Sequence, residues 1–128
     1  MSPLVQWSDT DASGRFHFTA PMKWVEDAEH RFYRDVHLDP ACFPRRAVQT
    51  SYVRPLGAGD HYDIDFEVDS LGRTSITYQW RIRAAAGICV EGSHVVVHVG
   101  PDGKPAPVPD TLRAVLKAAS RRTSEGES

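Results

Sequence analysis

Four runs of alternating apolar and polar residues follow Pro44, and this pattern limits the fold of the chain more than any other feature. A period of two is typical of strands that bury one face of a sheet. Turn-forming residues separate the runs, so consecutive strands are joined by short connections, which favours an antiparallel sheet. The predicted strands comprise residues 48–52, 62–68, 76–82 and 88–99.

The segment 21–36 has the period of a helix instead. Its apolar residues recur at spacings of three and four and form one stripe, which comprises Trp24, Val25, Ala28, Phe32 and Val36. Thr19 is the candidate N-cap, and Pro21 suits the first turn because its missing N–H would be unpaired there. A strand-like run at 4–7 precedes this helix, and a short helix at 110–120 follows the strands. This order predicts an α+β fold with a helix against one face of a curved sheet.

Composition limits the protein class. The 128 residues fit one domain, predicted at 1–120, with a polar tail at 121–128 that is expected to be disordered. The formal net charge of −2 gives no support to nucleic-acid binding. No apolar run approaches the roughly 20 residues that span a bilayer, and no signal-peptide core is present, so membrane insertion is not expected. Two cysteines are too few for a disulfide framework, and we expect a cytoplasmic protein with reduced thiols.

Two carboxylates, Asp9 and Asp11, stand one residue apart in the octapeptide 7–14. A turn of small residues containing Gly14 follows them, and the predicted helix comes next. The first N–H groups of a helix lack partners and can stabilise a developing oxyanion. A carboxylate beside such donors is the arrangement that acyl transfer requires, so we expect the active site here. On turn chemistry alone, holding the turn is the favoured role of Asp11.

The element order and the segment Asp9-Thr10-Asp11-Ala12-Ser13-Gly14 resemble the hotdog fold, in particular the 4-hydroxybenzoyl-CoA thioesterase-like family of acyl-CoA thioesterases. The likeness covers roughly residues 4–100, and its other matches are Trp7, Phe16-His17-Phe18, Trp24-Val25-Glu26, Ala28, 52–56, Gly59-Asp60 and 72–75. The resemblance implies an antiparallel sheet of about five strands around one long central helix. It also implies hydrolysis of an acyl-CoA or acyl-carrier-protein thioester without a cofactor, by a homodimer or homotetramer with the active site at a subunit interface.

The resemblance also assigns roles to single residues. Asp11 matches the family's catalytic carboxylate, which acts as nucleophile or as general base on water, and the backbone N–H of Phe18 matches the oxyanion donor. Asp9 is expected to hold the turn. Glu26 is the rival catalytic residue, because another branch of hotdog thioesterases uses a carboxylate of the central helix. His17 is a further candidate, as an acid or an orienting group, although a histidine satisfied by the backbone fits equally well.

The sequence departs from the family at two positions. Phe18 stands where some relatives carry a histidine, and Pro21 stands where relatives carry a larger residue. The expected substrate-binding residues are Gly14, Phe16, Pro21, Trp24, Arg73, Thr74 and Ser75. Arg73 also fits a solvated loop cation, and Thr74 and Ser75 also fit ordinary strand residues.

Two other interpretations of the site stay open. One is a hotdog module that binds an acyl-CoA without cleaving it. The other, a hotdog hydratase or dehydratase, ranks last because Asp11 and His17 lie six residues apart and no Asn-Pro follows. His94 and His98 lack a third nearby ligand, so we interpret them as sheet or interface residues and expect no metal site.

Overall fold

The computed structural model describes residues 3–117. Within this range the chain forms helix α1 (Ala20–Asp35), strands β1 (Arg45–Tyr52), β2 (Asp63–Leu71), β3 (Ser75–Ala84) and β4 (Gly87–Val97), and a helix α2 at 110–117. Short 3-10 turns cover Trp7–Asp9 and Pro40–Cys42. The end of the predicted terminal helix and the predicted tail at 121–128 lie outside the described residues. Neither α1 nor the described part of α2 is long and apolar enough to cross a membrane.

The four strands form one antiparallel sheet in the order β1-β4-β3-β2, so β1 and β2 are its edges. Two rows of paired residues mark its ends. The first row, which we call the Tyr52 end, is Tyr52, Val90, Ile82 and Ile64; the second, the Leu71 end, is Arg45, Val96, Ile76 and Leu71. A strand rises about 3.3 Å per residue, so the two ends are roughly 20 Å apart.

Helix α1 packs on the inner face of the sheet. The predicted alternation in β3 is confirmed, because Ile76, Tyr78, Trp80 and Ile82 are all buried there. From the predicted helical stripe, Trp24 and Val25 are buried and the other members are partly covered. Burying a large apolar side chain contributes about 1.5–3 kcal/mol, so these two facing rows hold the helix on the sheet.

The predicted N-terminal strand is present only as a short pairing. Leu4 bridges His61 and the N–H of Val5 donates to the carbonyl of Asp60, but residues 7–9 curl into a 3-10 turn. The reason is local, since the carboxylate of Asp9 accepts a hydrogen bond from the backbone N–H of Gln6 at 2.9 Å. This bond closes a turn over three residues and competes with extended backbone. The sheet therefore has four strands instead of about five.

Candidate active site

The residues from Thr10 to Phe16 form a narrow loop that leads from the 3-10 turn towards α1. Thr10 and Phe16 make an antiparallel bridge, and the N–H of Asp11 donates to the carbonyl of Arg15 at 2.9 Å. Gly14 turns the chain with a φ of +78°, a conformation that favours glycine. The loop is tied to the segment after β1, because the N–H of Phe16 donates to the carbonyl of Leu56 at 2.8 Å. The predicted turn is therefore present and anchored at both sides.

The carboxylate of Asp11 is exposed and is held by Ser13. Its Oδ1 accepts hydrogen bonds from the Ser13 hydroxyl at 2.5 Å and from the Ser13 backbone N–H at 2.8 Å. These two hydrogen bonds hold the pKa of Asp11 below its ordinary value, and the bond from the hydroxyl has the larger effect. Asp11 is therefore ionised at neutral pH and fixed in direction. The spacing Asp-x-Ser is the signal by which Ser13, which the sequence analysis missed, could have been found.

Asp9 has different partners. Its Oδ2 accepts hydrogen bonds from the Gln6 backbone and, at 3.3 Å, from the indole of Trp24. Trp24 is buried in α1 and stacks on Tyr62 with the ring centres 4.4 Å apart. The carbonyl of Asp9 also accepts a hydrogen bond from the N–H of His17 at 2.6 Å. Asp9 thus fastens the loop to the helix, which is the turn-holding role predicted for it.

The entry of α1 carries the predicted oxyanion donor. The N–H of Phe18 donates to no acceptor among residues 3–117, while its carbonyl accepts a hydrogen bond from the Tyr52 hydroxyl. Thr19 is the N-cap residue, but its side chain makes no capping bond. Its hydroxyl instead lies 2.8 Å from Nδ1 of His17, which also accepts from the Thr19 backbone N–H at 3.2 Å. The side chain of His17 is therefore engaged locally and makes no hydrogen bond to Asp11.

A groove of about 380 Å³ brings these groups together, and we call it the Asp11 groove. Its lining comprises Asp11, Ser13, Arg15, Phe16, Phe18, Tyr52, Val53, Arg54 and Pro55. The rings of Phe16 and Tyr52 stack with their centres 6.0 Å apart and form an aromatic wall. The predicted residues Asp11, Phe16 and Phe18 therefore share one surface. Arg15, Tyr52 and Arg54 were not predicted for the site.

Asp11 also borders a second groove. This Trp7 groove has a volume of about 640 Å³ and is lined by Trp7, Ser8, Thr10, Asp11, Ala12, Gly14 and Ala58. The indole of Trp7 is 84% exposed, so this surface carries a large uncovered apolar side chain. A carboxylate between two grooves can face the reacting carbon of an elongated ligand whose two arms run in different directions.

Several predicted substrate-binding residues lie elsewhere in the chain. Pro21 and Trp24 are buried and line neither groove. Arg73 and Thr74 lie in the β2–β3 turn at the Leu71 end and Ser75 begins β3, whereas Tyr52 of the Asp11 groove marks the opposite end of the sheet. The guanidinium of Arg113, in α2, donates to the carbonyl of Gly72 at 2.8 Å and holds that turn. Within one chain, the 73–75 segment is thus remote from Asp11.

Glu26, the predicted rival, is half-exposed on α1 and lines neither groove. Its Oε2 lies 4.0 Å from Nη1 of Arg45. One turn later, Glu29 is almost fully buried, and the sequence analysis missed it although it continues the stripe four residues after Val25. Its Oε1 lies 2.9 Å from both Nε2 of His94 and Nη2 of Arg45.

The buried Glu29 is ionised and its partner His94 is oriented. Trp80 can only donate, so its 3.2 Å contact from Nε1 makes Nδ1 of His94 an acceptor and places the histidine proton on Nε2, facing Glu29. Burial alone would raise the pKa of Glu29, but the hydrogen bond from His94 and the charge of Arg45 outweigh it and lower that pKa. His94 is thus a sheet residue with a structural role, as predicted.

Comparison with known proteins bears on both fold and chemistry. A family model described as the thioesterase-like superfamily matches residues 5–116. The chain is 26% identical over 122 residues to a 1,4-dihydroxy-2-naphthoyl-CoA hydrolase from Microcystis aeruginosa, with 86% of each chain covered.

Two solved structures are similar in fold. One is a thioesterase from Thermus thermophilus complexed with coenzyme A and zinc, with a TM-score of 0.87, 24% identity, and coverage of 94% of this chain and 92% of that one. The other is a 1,4-dihydroxy-2-naphthoyl-CoA thioesterase from Synechocystis, with a TM-score of 0.82, 17% identity, and coverage of 91% and 93% respectively. The predicted hotdog fold is confirmed by these likenesses, with the lower strand count given above.

Proposed function

Since the chain belongs to the thioesterase-like superfamily, we propose that it hydrolyses the thioester bond of an acyl-CoA and releases the free acid and the thiol. One observation carries the assignment of the site. Asp11, whose carboxylate is ionised, and Phe18, whose N–H donates to no acceptor among residues 3–117, line the same groove. The relatives named for hydrolysis of 1,4-dihydroxy-2-naphthoyl-CoA support a coenzyme A thioester with an aromatic acyl group as the first substrate to test.

The proposed mechanism places the thioester carbonyl over the entry of α1. Its oxygen accepts a hydrogen bond from the N–H of Phe18, which stabilises the negative charge that develops during attack. Asp11 either attacks the carbonyl carbon, giving a mixed anhydride that water then cleaves, or removes a proton from a water molecule that attacks. The thiolate leaves without strong acid assistance, because thiols are far more acidic than alcohols. These steps call for no metal ion or organic cofactor.

In this proposal the two grooves set the orientation of the bound substrate. With the carbonyl beside Asp11, the acyl group occupies one groove and the pantetheine arm occupies the other. The aromatic wall of Phe16 and Tyr52 and the exposed indole of Trp7 both offer apolar contact area. A substrate that fills both grooves excludes water from the exposed carboxylate and strengthens its electrostatic interactions.

The edge strand β1 supports a homodimer. Among the described strands it pairs only with β4, and it presents Val48 at 47% and Tyr52 at 48% exposure. A long edge with exposed apolar residues is a template for pairing with a second chain. Antiparallel pairing of two β1 strands about a two-fold axis would place the Arg45 end of one chain beside the Tyr52 end of the other. Glu26 of the partner subunit would then approach the Asp11 groove.

This arrangement is tested by sedimentation. We expect the wild-type protein to be dimeric or larger at micromolar concentration, and Val48→Glu to shift the equilibrium towards the monomer and to lower activity. Asp69→Glu, an exposed position on the other edge strand, is the control. A wild-type monomer at all concentrations would contradict the proposed dimer.

The chemistry is tested with short, long and aromatic acyl-CoAs and detection of the free thiol. We expect Asp11→Asn to lower kcat/KM by about 10²-fold or more, since a general base or nucleophile contributes at least that much. Asp69→Asn is the matched control. Near-normal hydrolysis by Asp11→Asn would remove Asp11 from the mechanism, and loss of activity in Glu26→Gln instead would assign the role to Glu26.

Two further measurements separate the alternatives. Single-turnover hydrolysis in ¹⁸O-labelled water puts solvent oxygen into Asp11 only if the carboxylate attacks directly. Tight binding of acyl-CoAs without release of thiol would identify a binding module, and hydration of an enoyl-CoA without release of thiol would identify a hydratase.

A further inference from the structure

Two arginines line the Asp11 groove without an acidic partner. Arg15 and Arg54 are both exposed, and neither takes part in an ion pair within residues 3–117. By contrast, Arg83 pairs with Asp65 through two hydrogen bonds, and Arg45 contacts Glu29. The groove therefore carries two free guanidinium groups and one carboxylate in a chain whose overall formal charge is −2.

The backbones that carry these arginines are fixed. The carbonyl of Arg15 accepts the N–H of Asp11, so the two residues lie directly across the loop from each other. The N–H of Arg54 donates to the carbonyl of Cys89, at the end of the sheet where β1 stops. Both side chains therefore start from backbone positions that hydrogen bonds define.

Arg54 and Pro55 line a second cavity as well as the Asp11 groove. This cavity, of about 410 Å³, reaches the turn between β3 and β4 at residues 84–86 and is also lined by Asp60 and His61. In the Asp11 groove itself, Phe16, Tyr52 and Pro55 lie beside the charged groups.

We propose that Arg15 and Arg54 bind an oxyanion carried by the thioester substrate, either a carboxylate on the acyl group or the diphosphate of the thiol carrier. This inference rests on the proposed function. The guanidinium group presents a planar fork of N–H donors that matches carboxylate and phosphate oxygens, and it is weakly hydrated for a cation. Neither arginine supports the fold through an ion pair in the described part of the chain, so the pair is available for a ligand.

The experiment uses four thioesters. Benzoyl and 4-carboxybenzoyl groups are each attached to coenzyme A and to N-acetylcysteamine, which lacks phosphate. The double variant Arg15→Gln/Arg54→Gln is compared with the wild type and with Arg34→Gln, an exposed arginine at the far end of α1. We expect kcat/KM of the double variant to fall at least about ten-fold on substrates with the recognised anion, and to change less than about two-fold on benzoyl-N-acetylcysteamine.

The pattern of loss identifies the source of the anion. If kcat/KM of the double variant falls on the 4-carboxybenzoyl thioesters of both carriers, the anion is the acyl carboxylate. If it falls on both coenzyme A thioesters, the anion is the diphosphate. Either loss should shrink as salt is added, because salt screens exposed charges. An equal loss on benzoyl-N-acetylcysteamine, or no loss on any substrate, overturns the inference.

If the proposed function is wrong, the wild type cleaves none of the four thioesters. Calorimetric binding of coenzyme A and of a thioether analogue of 4-carboxybenzoyl-CoA then decides the inference by itself. Weaker binding by the double variant than by Arg34→Gln supports it, and equal binding overturns it.

Discussion

Replacing Glu29 by leucine should destabilise the protein strongly, although Glu29 touches neither groove. The carboxylate is 1% exposed and lies 2.9 Å from both His94 and Arg45. Glu29→Leu leaves the Nε2–H of His94 without an acceptor inside the core and leaves Arg45 without its near counter-charge. The orientation of His94 does not adapt easily, since Trp80 already occupies its Nδ1.

The magnitude follows from the burial of the pair. Removing one partner of a buried ion pair costs about 3–5 kcal/mol, because the remaining polar groups are desolvated without compensation. Unfolding entropy is about 2.1 cal/mol/K per residue. For a chain of 128 residues, the midpoint of thermal unfolding should therefore fall by about 10–20 °C. That loss is a large fraction of the total stability of a typical domain, which is about 5–15 kcal/mol.

The assay is thermal and urea unfolding followed by circular dichroism, at one fixed protein concentration because oligomers unfold in a concentration-dependent way. Glu26→Leu, one turn earlier on α1 and half-exposed, is the matched control and should change the free energy of unfolding by less than about 1 kcal/mol. Because the pKa of Glu29 is lowered on folding, its contribution is complete above its ordinary pKa of 4.5 and is lost as the pH falls through the folded value. The difference between wild type and Glu29→Leu should therefore narrow in acid. Equal stability of Glu29→Leu and wild type at pH 7 would refute the reasoning.

Two further predictions concern single contacts. Ser13→Ala removes the hydroxyl that contributes most to the lowered pKa of Asp11. If ionised Asp11 is the active form, the acid limb of the kcat/KM profile of Ser13→Ala should lie at higher pH than that of the wild type. Ser13→Thr should return it to the wild-type position. An acid limb of Ser13→Ala at the same or a lower pH would show that Ser13 does not act on catalysis. Gly92→Ala would place a Cβ 2.2 Å from the carbonyl of Gln49 and 2.9 Å from the ring of Trp80, so we expect a loss of about 1–3 kcal/mol in urea unfolding. Ser93→Ala is the neighbouring control, and equal stability of the two variants would show that β1 moves aside freely.

Sequence periodicity predicted the parts of the fold that depend on local pattern. The alternation in residues 76–82 gave the buried face of β3, and the helical stripe gave two of the buried residues of α1, Trp24 and Val25. The turn after Asp11 was also predictable, because it depends on Gly14 and on bonds within a few residues. The N-terminal strand is cut short for the same kind of reason. The hydrogen bond from the N–H of Gln6 to the carboxylate of Asp9, three residues later, favours a turn there, and an apolar run does not reveal it.

The missed residues depend on contacts between distant segments. Glu29 looks like an ordinary polar interruption of a helix until His94, 65 residues later, and Arg45 are brought to it by the sheet. Arg15 and Arg54 line one groove because the loop pairs with the segment after β1 through Arg15 and Phe16. No local sequence pattern indicates either of these long-range contacts. The placement of residues 73–75 at the far end of the sheet is likewise a consequence of strand register.

The two neighbouring acids, Asp9 and Asp11, have different surroundings within one loop. Asp9 gives its carboxylate to the Gln6 N–H and the Trp24 indole and its carbonyl to the N–H of His17, so it ties both ends of the loop to α1. Asp11, two residues later, bonds only within the loop and stays exposed. Because the buried stack of Trp24 on Tyr62 holds the first attachment, the position of Asp11 relative to the entry of α1 is set by the core. In the proposed mechanism, Asp11 and the N–H of Phe18 act most effectively when their separation is fixed before the substrate arrives. The Asp9–Trp24 bond and the bonds of Phe16 and His17 to Leu56 and Asp9 are the contacts that restrain this part of the chain.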